Sequence, residues 1–576
     1  MIWDYLKDKK KYLFPALIFL LLVDIAQLLV PLMTKKAIDG LRQSPNMNDL
    51  LVTGLIIFGL AVSVFIFRFS WRYFLLRMAF KIVVNLRNKI YYNLLKFSQH
   101  FFGKWETGDI MARAINDMRA VQRMFSFGIV TIVDAIVLGI ASLIFMFSFH
   151  VKLTLIALAP MPILIFAVWF FEDKIHRTFR EVQEKFSGLQ NFVQEDFSGI
   201  FVIKAFNREL NEKNRFAKEN QEYVDKNLKV ARLFATLRPF IMFIVGLSNL
   251  LVLYFGGKLV ISGELQLGSF FAFFQYLQYM SWPMMALGFA INLYQRGKAS
   301  LSRVEDITER EPIVYDRENA LDVDDIDSVS LKVKDLSFKY DNANESALKN
   351  INFEVKKGES VGIIGRIGSG KTTLVKNISR LVKIPEDTII VNNRDINDYK
   401  LSSLRNMISY VPQDSFLFST TIRENIAYFN PDMSIEKIKK AAEIADLKDA
   451  IDDLPKKYDT KLGERGVNLS GGQKQRMTIA RAILKDAPFF IFDDSFSSID
   501  TNTEEKILNN LKDILKNKTT IIIAHRISTI KYVDKIMVLD EGKIVEKGTH
   551  EELIKKQGEY YNIYKIQELK EKIAKE

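Results

Sequence analysis

Six long apolar runs occupy the first half of the chain, at roughly 13–33, 50–70, 129–149, 152–172, 234–256 and 268–292. Each approaches the ~20 residues that a helix needs to cross a hydrocarbon core. The polar connections alternate in length. Those after the first, third and fifth runs are short: about 34–49, "HVK" from His150, and about 257–267. Those after the second and fourth, about 71–128 and 173–233, are long, charged, helix-patterned and free of proline. This pattern predicts that spans two to five continue as helices well beyond the bilayer, with tips at 101–122 and 190–209. Gly103, Gly108 and Gly199 lie near aromatic clusters at those tips. They predict short helices that plug into a partner domain rather than plain surface turns.

Residues 297–328 are polar and rich in Glu, Asp and Arg. From about 329 the periodicity changes. Short alternating or apolar runs such as "SVSLKVKDLSFKY", "SVGIIG", "TIIVNN" and "FFIFDD" now alternate with helical stretches. That is the signature of an α/β domain with a largely parallel sheet. The expected division is a membrane domain over 1–310, a linker over 311–328 and an α/β domain over 329–576.

Composition adds three constraints. The hydrophobic share is 48%, yet mean hydropathy is only +0.04, which fits one lipid-soluble part joined to one charged part. The net charge of +12 fits the positive-inside bias and anionic lipid headgroups rather than nucleic acid. Lys7, Lys9, Lys10 and Lys11 precede the first run without a small-residue cleavage site. They predict an uncleaved anchor with a cytoplasmic N-terminus in a multi-pass protein of the cell's inner membrane. There is no Cys, and the five His are scattered, so disulfides and Cys- or His-cluster metal sites are excluded.

"GRIGSGKT", Gly365 to Thr372, follows the apolar run "SVGII" and precedes the helical pattern "KTTLVKNISRL". This is a phosphate-binding loop in the context that the motif requires. Gly365, Gly368 and Gly370 permit close backbone approach. The amides of Arg366, Ile367 and Ser369 and the helix start at Lys371 to Thr373 would cradle phosphates. Lys371 adds a point charge, and the Thr372 hydroxyl should ligate Mg²⁺. A second candidate anion site is "NLSGGQKQR", where Ser470, Gly471, Gly472 and Gln473 open another helix. Taken alone, it is equally an N-cap on a flexible turn. Twenty residues on, "FFIFDD" ends in Asp493, placed to position Mg²⁺, and Asp494.

Together and in order, these motifs make the chain resemble a half-transporter of the ATP-binding cassette exporter superfamily. The resemblance implies a six-helix membrane domain of the type I exporter (type IV transporter) fold, followed by a P-loop nucleotide-binding domain. Tyr340 in "SFKY" resembles the aromatic that stacks on adenine. Gln413 in "YVPQDSFLF" resembles the glutamine that contacts Mg²⁺ and couples to the membrane domain. "KLGERG" (461–466) resembles the exporter cross-linking loop, and "LSGGQ" the family signature. Asp500 in "SSID" resembles the loop that crosses the dimer interface. His525 in "IIIAHRIS" resembles the switch histidine that senses γ-phosphate. The two tips resemble coupling helices. Read singly, Tyr340 is also compatible with a core aromatic, Gln413 with a turn residue and His525 with simple packing.

The resemblance implies head-to-tail pairing of two nucleotide-binding domains, each ATP held between one chain's phosphate loop and the other's signature. The usual base is a glutamate after the magnesium-binding aspartate. Asp494 stands there, about one carbon–carbon bond, roughly 1.5 Å, short. Misplacement of about 1 Å can cost two orders of magnitude in rate. The expectation is a slow site on this chain's phosphate loop. The expected partner is a second, different half-transporter with Glu at that position and an altered signature, with export of multidrug-type or lipid-like amphiphiles. A homodimeric lipid flippase is the alternative, and an ATP-gated channel or regulatory subunit a third reading. In the spans, Asp24 and Asp134 fit either contacts for a cationic amphiphile or inter-helix hydrogen bonding.

Overall fold

The computed structural model describes residues 2–43, 47–323, 326–341 and 343–573. Residues 1 and 576, which end the two expected domains, and 324–325 of the expected linker lie outside the described residues. The chain divides into two units. One comprises Met1–Tyr92 and Thr107–Arg310, the other Asn93–Glu106 and Glu311–Glu576.

The first unit is helical. Its long helices are Lys10–Gln43, Met47–Lys96, Met161–Ser198, Glu209–Leu251 and Leu267–Thr308, with a further helical run over Thr107–Phe149. Among the described residues, four runs are long and apolar enough to cross a membrane: Lys10–Arg42, Met47–Lys96, Thr107–Phe149 and Glu209–Ile261. The expected spans at 152–172 and 268–292 fall on helices Val151–Leu158, Met161–Ser198 and Leu267–Thr308. Met47–Lys96 has 50 residues. At 1.5 Å per residue it is about 75 Å long, over twice the ~30 Å of a hydrocarbon core. Its outer face carries exposed Leu55, Phe58, Phe65 and Phe69, which suits lipid. The "HVK" connection works through His150. It ends one helix and caps the next, its Nδ1 accepting from the Leu153 amide at 3.1 Å. The interior is closed by Tyr276, which stacks on Phe145 at 5.0 Å and donates its hydroxyl to the Leu28 carbonyl at 2.6 Å.

The tips are shorter than 101–122 and 190–209. The first is helix Gln99–Lys104, six residues, after which helix resumes at Thr107. Phe101 is buried between Phe97 and Trp105, with ring centroids 4.4 and 5.5 Å away, so the aromatic cluster folds the tip onto itself. At the second, the preceding helix runs on to Ser198, Gly199 interrupts it, and Ile200–Ala205 forms a separate turn.

Among the described residues, the second unit holds ten strands: β1 Leu331–Phe338, β2 Leu348–Val355, β3 Ser360–Ile364, β4 Ile389–Val391, β5 Arg394–Asp395, β6 Ile408–Val411, β7 Phe489–Asp493, β8 Thr519–Ile523, β9 Lys535–Asp540 and β10 Lys543–Gly548. They form two sheets rather than one. The order β10-β9-β3-β8-β7-β6 is parallel except for the terminal β9–β10 hairpin. The second sheet, β2-β1-β4-β5, is antiparallel throughout. Its two long strands, β1 and β2, largely alternate buried and exposed residues, as one-sided sheets do. The parallel strands β7 and β8 are buried at every position. Their continuous apolar runs follow from coverage on both faces.

Candidate functional site

β3 ends at Ile364 and the phosphate loop follows, leading into helix Lys371–Ile378. Two glycines there have clear reasons. A Cβ at Gly365 would run into the Leu539 carbonyl, and Gly370 caps the helix at φ 102°, a left-handed conformation costly for other residues. Lys371 is buried and folds back over the loop, donating to the carbonyls of Gly365 at 2.9 Å and Arg366 at 2.8 Å. Burial pulls its ammonium below the ordinary lysine range, and the charges of Asp494 and Asp493 oppose that. Ser369 is buried, whereas Ile367 is fully exposed at the loop crest. Arg366 turns away to Glu559 on the C-terminal helix, at 3.0 Å.

Thr372 and Asp493 meet: Oγ1 donates to Oδ1 at 3.1 Å. The other oxygen of Asp493 accepts from the Tyr410 hydroxyl at 3.0 Å. Tyr410 is a site residue that sequence reasoning missed. It lies three positions before Gln413 on β6, whose pairing sets Tyr410 beside Ile491 of β7. Burial raises the Asp493 carboxyl, against the hydrogen bonds from Tyr410 and Thr372. Burial by its surroundings and the Asp493 charge in turn raise the Tyr410 hydroxyl.

Asp494 is buried and left-handed at φ 48°, a conformation that Asp tolerates better than most residues. Its Oδ2 accepts from Gln413 Nε2 at 3.3 Å and lies 3.9 Å from His525 Nε2. Burial raises its carboxyl, and His525, Gln413, Lys371 and Arg526 hold it back. Burial also lowers His525, helped by Lys371 and opposed by the two aspartates. The His525 carbonyl accepts from Gln567 Nε2 at 2.6 Å, and the same side chain takes the Ile527 amide at 2.9 Å. Gln567 was also missed; it reaches in from the C-terminal helix, far away in sequence.

The structure therefore brings together Lys371, Thr372, Gln413, Asp493, Asp494 and His525. The remaining candidates sit around this group. Tyr340 packs edge-on against Phe338 at 4.9 Å, and its hydroxyl lies 3.2 Å from Thr373 Oγ1. A cavity of about 600 Å³ opens beside it, lined by His100, Lys104, Asp341 and Lys376 among others. Asp341 pairs with His100 at 2.9 Å and Lys104 at 3.1 Å. Ser470 caps helix Gly471–Lys485, its hydroxyl accepting from the Gln473 amide at 3.2 Å while Gln473 Oε1 accepts from the Ser470 amide at 3.0 Å. Both readings of "LSGG" thus rest on a real helix start, at which Gly471 and Gly472 lie against Ser498. Gln475 ties that helix to the loop before Asp500: its Oε1 accepts from the Ser498 amide at 2.8 Å and its Nε2 donates to Ser497 at 3.1 Å. Asp500 itself caps helix Thr501–Leu515, which keeps its carboxyl below the usual range through the Thr503 hydrogen bonds.

The donors around Asp493 suit a magnesium ion shared with phosphate oxygens: one carboxylate and one hydroxyl side by side. Among the described residues, no group of three or more His, Asp or Glu offers an all-protein cage instead.

Comparison with known proteins gives the same outline. Residues 13–284 match the family "ABC transporter transmembrane region" and residues 348–497 the family "ABC transporter". The chain is 38% identical over 556 residues to a probable multidrug resistance ABC transporter ATP-binding/permease protein, YheI, of Bacillus subtilis (strain 168), covering 96% of this chain and 95% of that one. It is 36% identical over 496 residues to an ATP-dependent lipid A-core flippase of Syntrophus aciditrophicus (strain SB), covering 86% and 82%. The structure of a bacterial Atm1-family ABC exporter with ATP bound superposes with a TM-score of 0.79 at 27% identity, over 97% of this chain and 98% of that one. These matches imply binding of ATP with Mg²⁺ and ATPase activity coupled to transport. The chain belongs to the ABC transporter family, as a multi-pass membrane protein that carries its transmembrane region and its cytoplasmic ATP-binding domain on one polypeptide.

Proposed function

We propose that this protein moves hydrophobic or amphiphilic compounds across the membrane by alternating access, driven by ATP. The observation that carries this is one polypeptide holding both the Lys371–Thr372–Asp493 cradle and helices with apolar outer faces. The names of the relatives, multidrug resistance and lipid A-core flipping, support the cargo class. In this reading six helices cross the membrane, over 1–310, and 311–328 links them to the domain 329–576. The tips near 99–104 and 200–205 couple the two.

Nucleotide phosphates would replace the loop carbonyls as acceptors for Lys371. Tyr340 would stack on adenine. Thr372, Asp493 and Gln413 would hold Mg²⁺, which neutralises charge on the phosphates. Asp494 would take the proton of the attacking water, with His525 and Gln413 fixing its carboxylate. Ser470, Gly471, Gly472 and Gln473 would close on the ATP of the other subunit, beside that subunit's Asp500 loop.

Two identical chains acting as a flippase for lipid-like molecules is the assembly that the comparisons favour, through the lipid A-core flippase relative. One observation favours a different partner: the short carboxylate of Asp494. In that second reading this chain supplies a slow site and an intact signature to a partner carrying Glu at the corresponding position. The purified chain alone, in lipid nanodiscs, decides. Steady ATP turnover by a species of twice the chain mass supports the homodimer. Turnover only after a second half-transporter is added supports the heteromer. Absence of ATP binding in both cases sinks the transport reading.

A further inference from the structure

Three side chains from three helices of the first unit converge, and the charge of a fourth, exposed one acts on them. Asp24 comes from Lys10–Gln43, Arg68 from Met47–Lys96, Asp134 from Ile129–Phe149 and Trp282 from Leu267–Thr308. Asp24 is wholly buried, and among the described residues neither carboxyl oxygen meets a hydrogen-bond donor. Among the described residues, the charged groups that act on it are Asp134 and Arg68. Asp134 is half-buried and takes the indole N–H of Trp282 at 2.9 Å. Trp282 is half exposed, so the Asp134 side is the open face of the cluster.

A structural role alone does not account for Asp24. Polar groups that tie helices together in lipid have donors to bond, whereas among the described residues the polar neighbour of Asp24 is a second carboxyl, Asp134, which it can bond only through a shared proton. Charge makes the case stronger. Among the described residues, the two carboxylates are opposed only by the exposed guanidinium of Arg68, which leaves a negative charge uncompensated in a low-dielectric interior, and that is costly. Two adjacent ionised carboxylates also have no proton to share between them. One further positive charge balances the cluster.

We propose that Asp24 and Asp134 form a binding site for one monovalent organic cation, the head group of a cationic amphiphile, which exchanges with a proton held between the carboxyls. The cation enters at Asp134, where Trp282 fixes the carboxylate and offers an aromatic face for cation–π contact. Asp24 behind it supplies the charge that the entering head group balances. One cation in and one proton out keep the cluster's charge constant.

The assignment rests on the exporter reading only for the idea that the ligand is cargo. Its test therefore needs no ATP. Tetraphenylphosphonium is titrated into the full-length protein in nanodiscs, by calorimetry in two buffers of different ionisation enthalpy, which counts protons released. The expected result is about one proton released per cation bound. Asp24→Asn and Asp134→Asn should each weaken binding at least about tenfold and abolish proton release, and tetraphenylborate, of like shape and opposite charge, should bind no better to native protein than to the variants. Asp24→Glu, which keeps the carboxylate, should retain binding and serves as the folding control alongside thermal unfolding of each variant. No binding to the native protein, binding without proton release, or native affinity in either Asn variant overturns the proposal. ATPase and transport assays report on the exporter reading separately, so the two can fail independently.

Discussion

Gln413 Nε2 donates to Asp494 Oδ2 at 3.3 Å, and the same oxygen lies 3.9 Å from His525 Nε2. One carboxylate oxygen is thus flanked by both the glutamine and the histidine, within reach of Lys371's field. This is where the length of residue 494 matters. Asp494→Glu extends the carboxylate by one methylene and should raise ATP turnover at this site by about 10- to 100-fold. Asp494→Asn should abolish what turnover there is. The gain carries a stability cost, because the left-handed backbone at this position suits Asp better than Glu. Phosphate-release assays and thermal unfolding of the same preparations should move in opposite directions for Asp494→Glu. A Glu variant no faster than the native chain rules out side-chain length as the limit on rate.

Tyr410 makes a second, independent prediction. Its hydroxyl satisfies the Asp493 oxygen that Thr372 does not. Partners that orient a metal-ligating carboxylate typically contribute 10- to 100-fold in metal affinity, so Tyr410→Phe should raise the Mg²⁺ needed for half-maximal ATP turnover by about 10-fold or more. Turnover at saturating Mg²⁺ should change far less. Titrating Mg²⁺ at fixed ATP separates the two effects.

Much of this site was legible in the sequence because its motifs are contiguous. A loop such as "GRIGSGKT" must place its glycines, lysine and threonine within a few residues of chain, so spacing alone exposes it. The same holds for Ser470 and Gln473, which cap one helix across a single turn. What stayed hidden depends on register between distant segments. Tyr410 reaches Asp493 only because β6 and β7 pair in parallel, and Gln567 reaches His525 only because the C-terminal helix packs back. The second, antiparallel sheet escaped for a related reason. Runs such as "SVSLKVKDLSFKY" and "TIIVNN" show strands, but that β1 pairs with β2 and β4 in a sheet of their own depends on register between distant segments. In the membrane half, apolar runs located the helices, but the meeting of Asp24 with Asp134 depends on how those helices pack.

Ser470 has two separable roles. As an N-cap, its loss to Ala should cost about 1 kcal/mol, whereas Gly should cost only a few tenths. For a domain of this size 1 kcal/mol corresponds to roughly 2–4 °C in Tm. If its hydroxyl also contacts the partner subunit's ATP, both substitutions should depress ATP turnover alike. Ser470→Ala and Ser470→Gly should therefore differ in thermal unfolding and agree in activity. Activity that tracks Tm across the pair would leave the cap as the residue's whole contribution.

Tyr340 offers the cleanest test of where the adenine sits. The ring packs edge-to-face on Phe338, which fixes its plane, and the hydroxyl reaches Thr373, the last residue of the phosphate-loop cradle. Ring and hydroxyl can be removed one at a time. Tyr340→Phe keeps the stacking surface and loses only the Thr373 contact, so ATP affinity should change little. Tyr340→Ala removes the ring, and stacking of a base on an aromatic side chain contributes about 1–3 kcal/mol, so affinity should fall by roughly 5- to 150-fold. The loss should be specific to the base. Inorganic triphosphate, which has no ring to stack, should bind the native protein and Tyr340→Ala equally well. Competition against a fluorescent ATP analogue measures all of these affinities. Equal weakening of ATP and triphosphate in Tyr340→Ala would instead show that the ring supports the phosphate loop through Thr373 rather than holding the base.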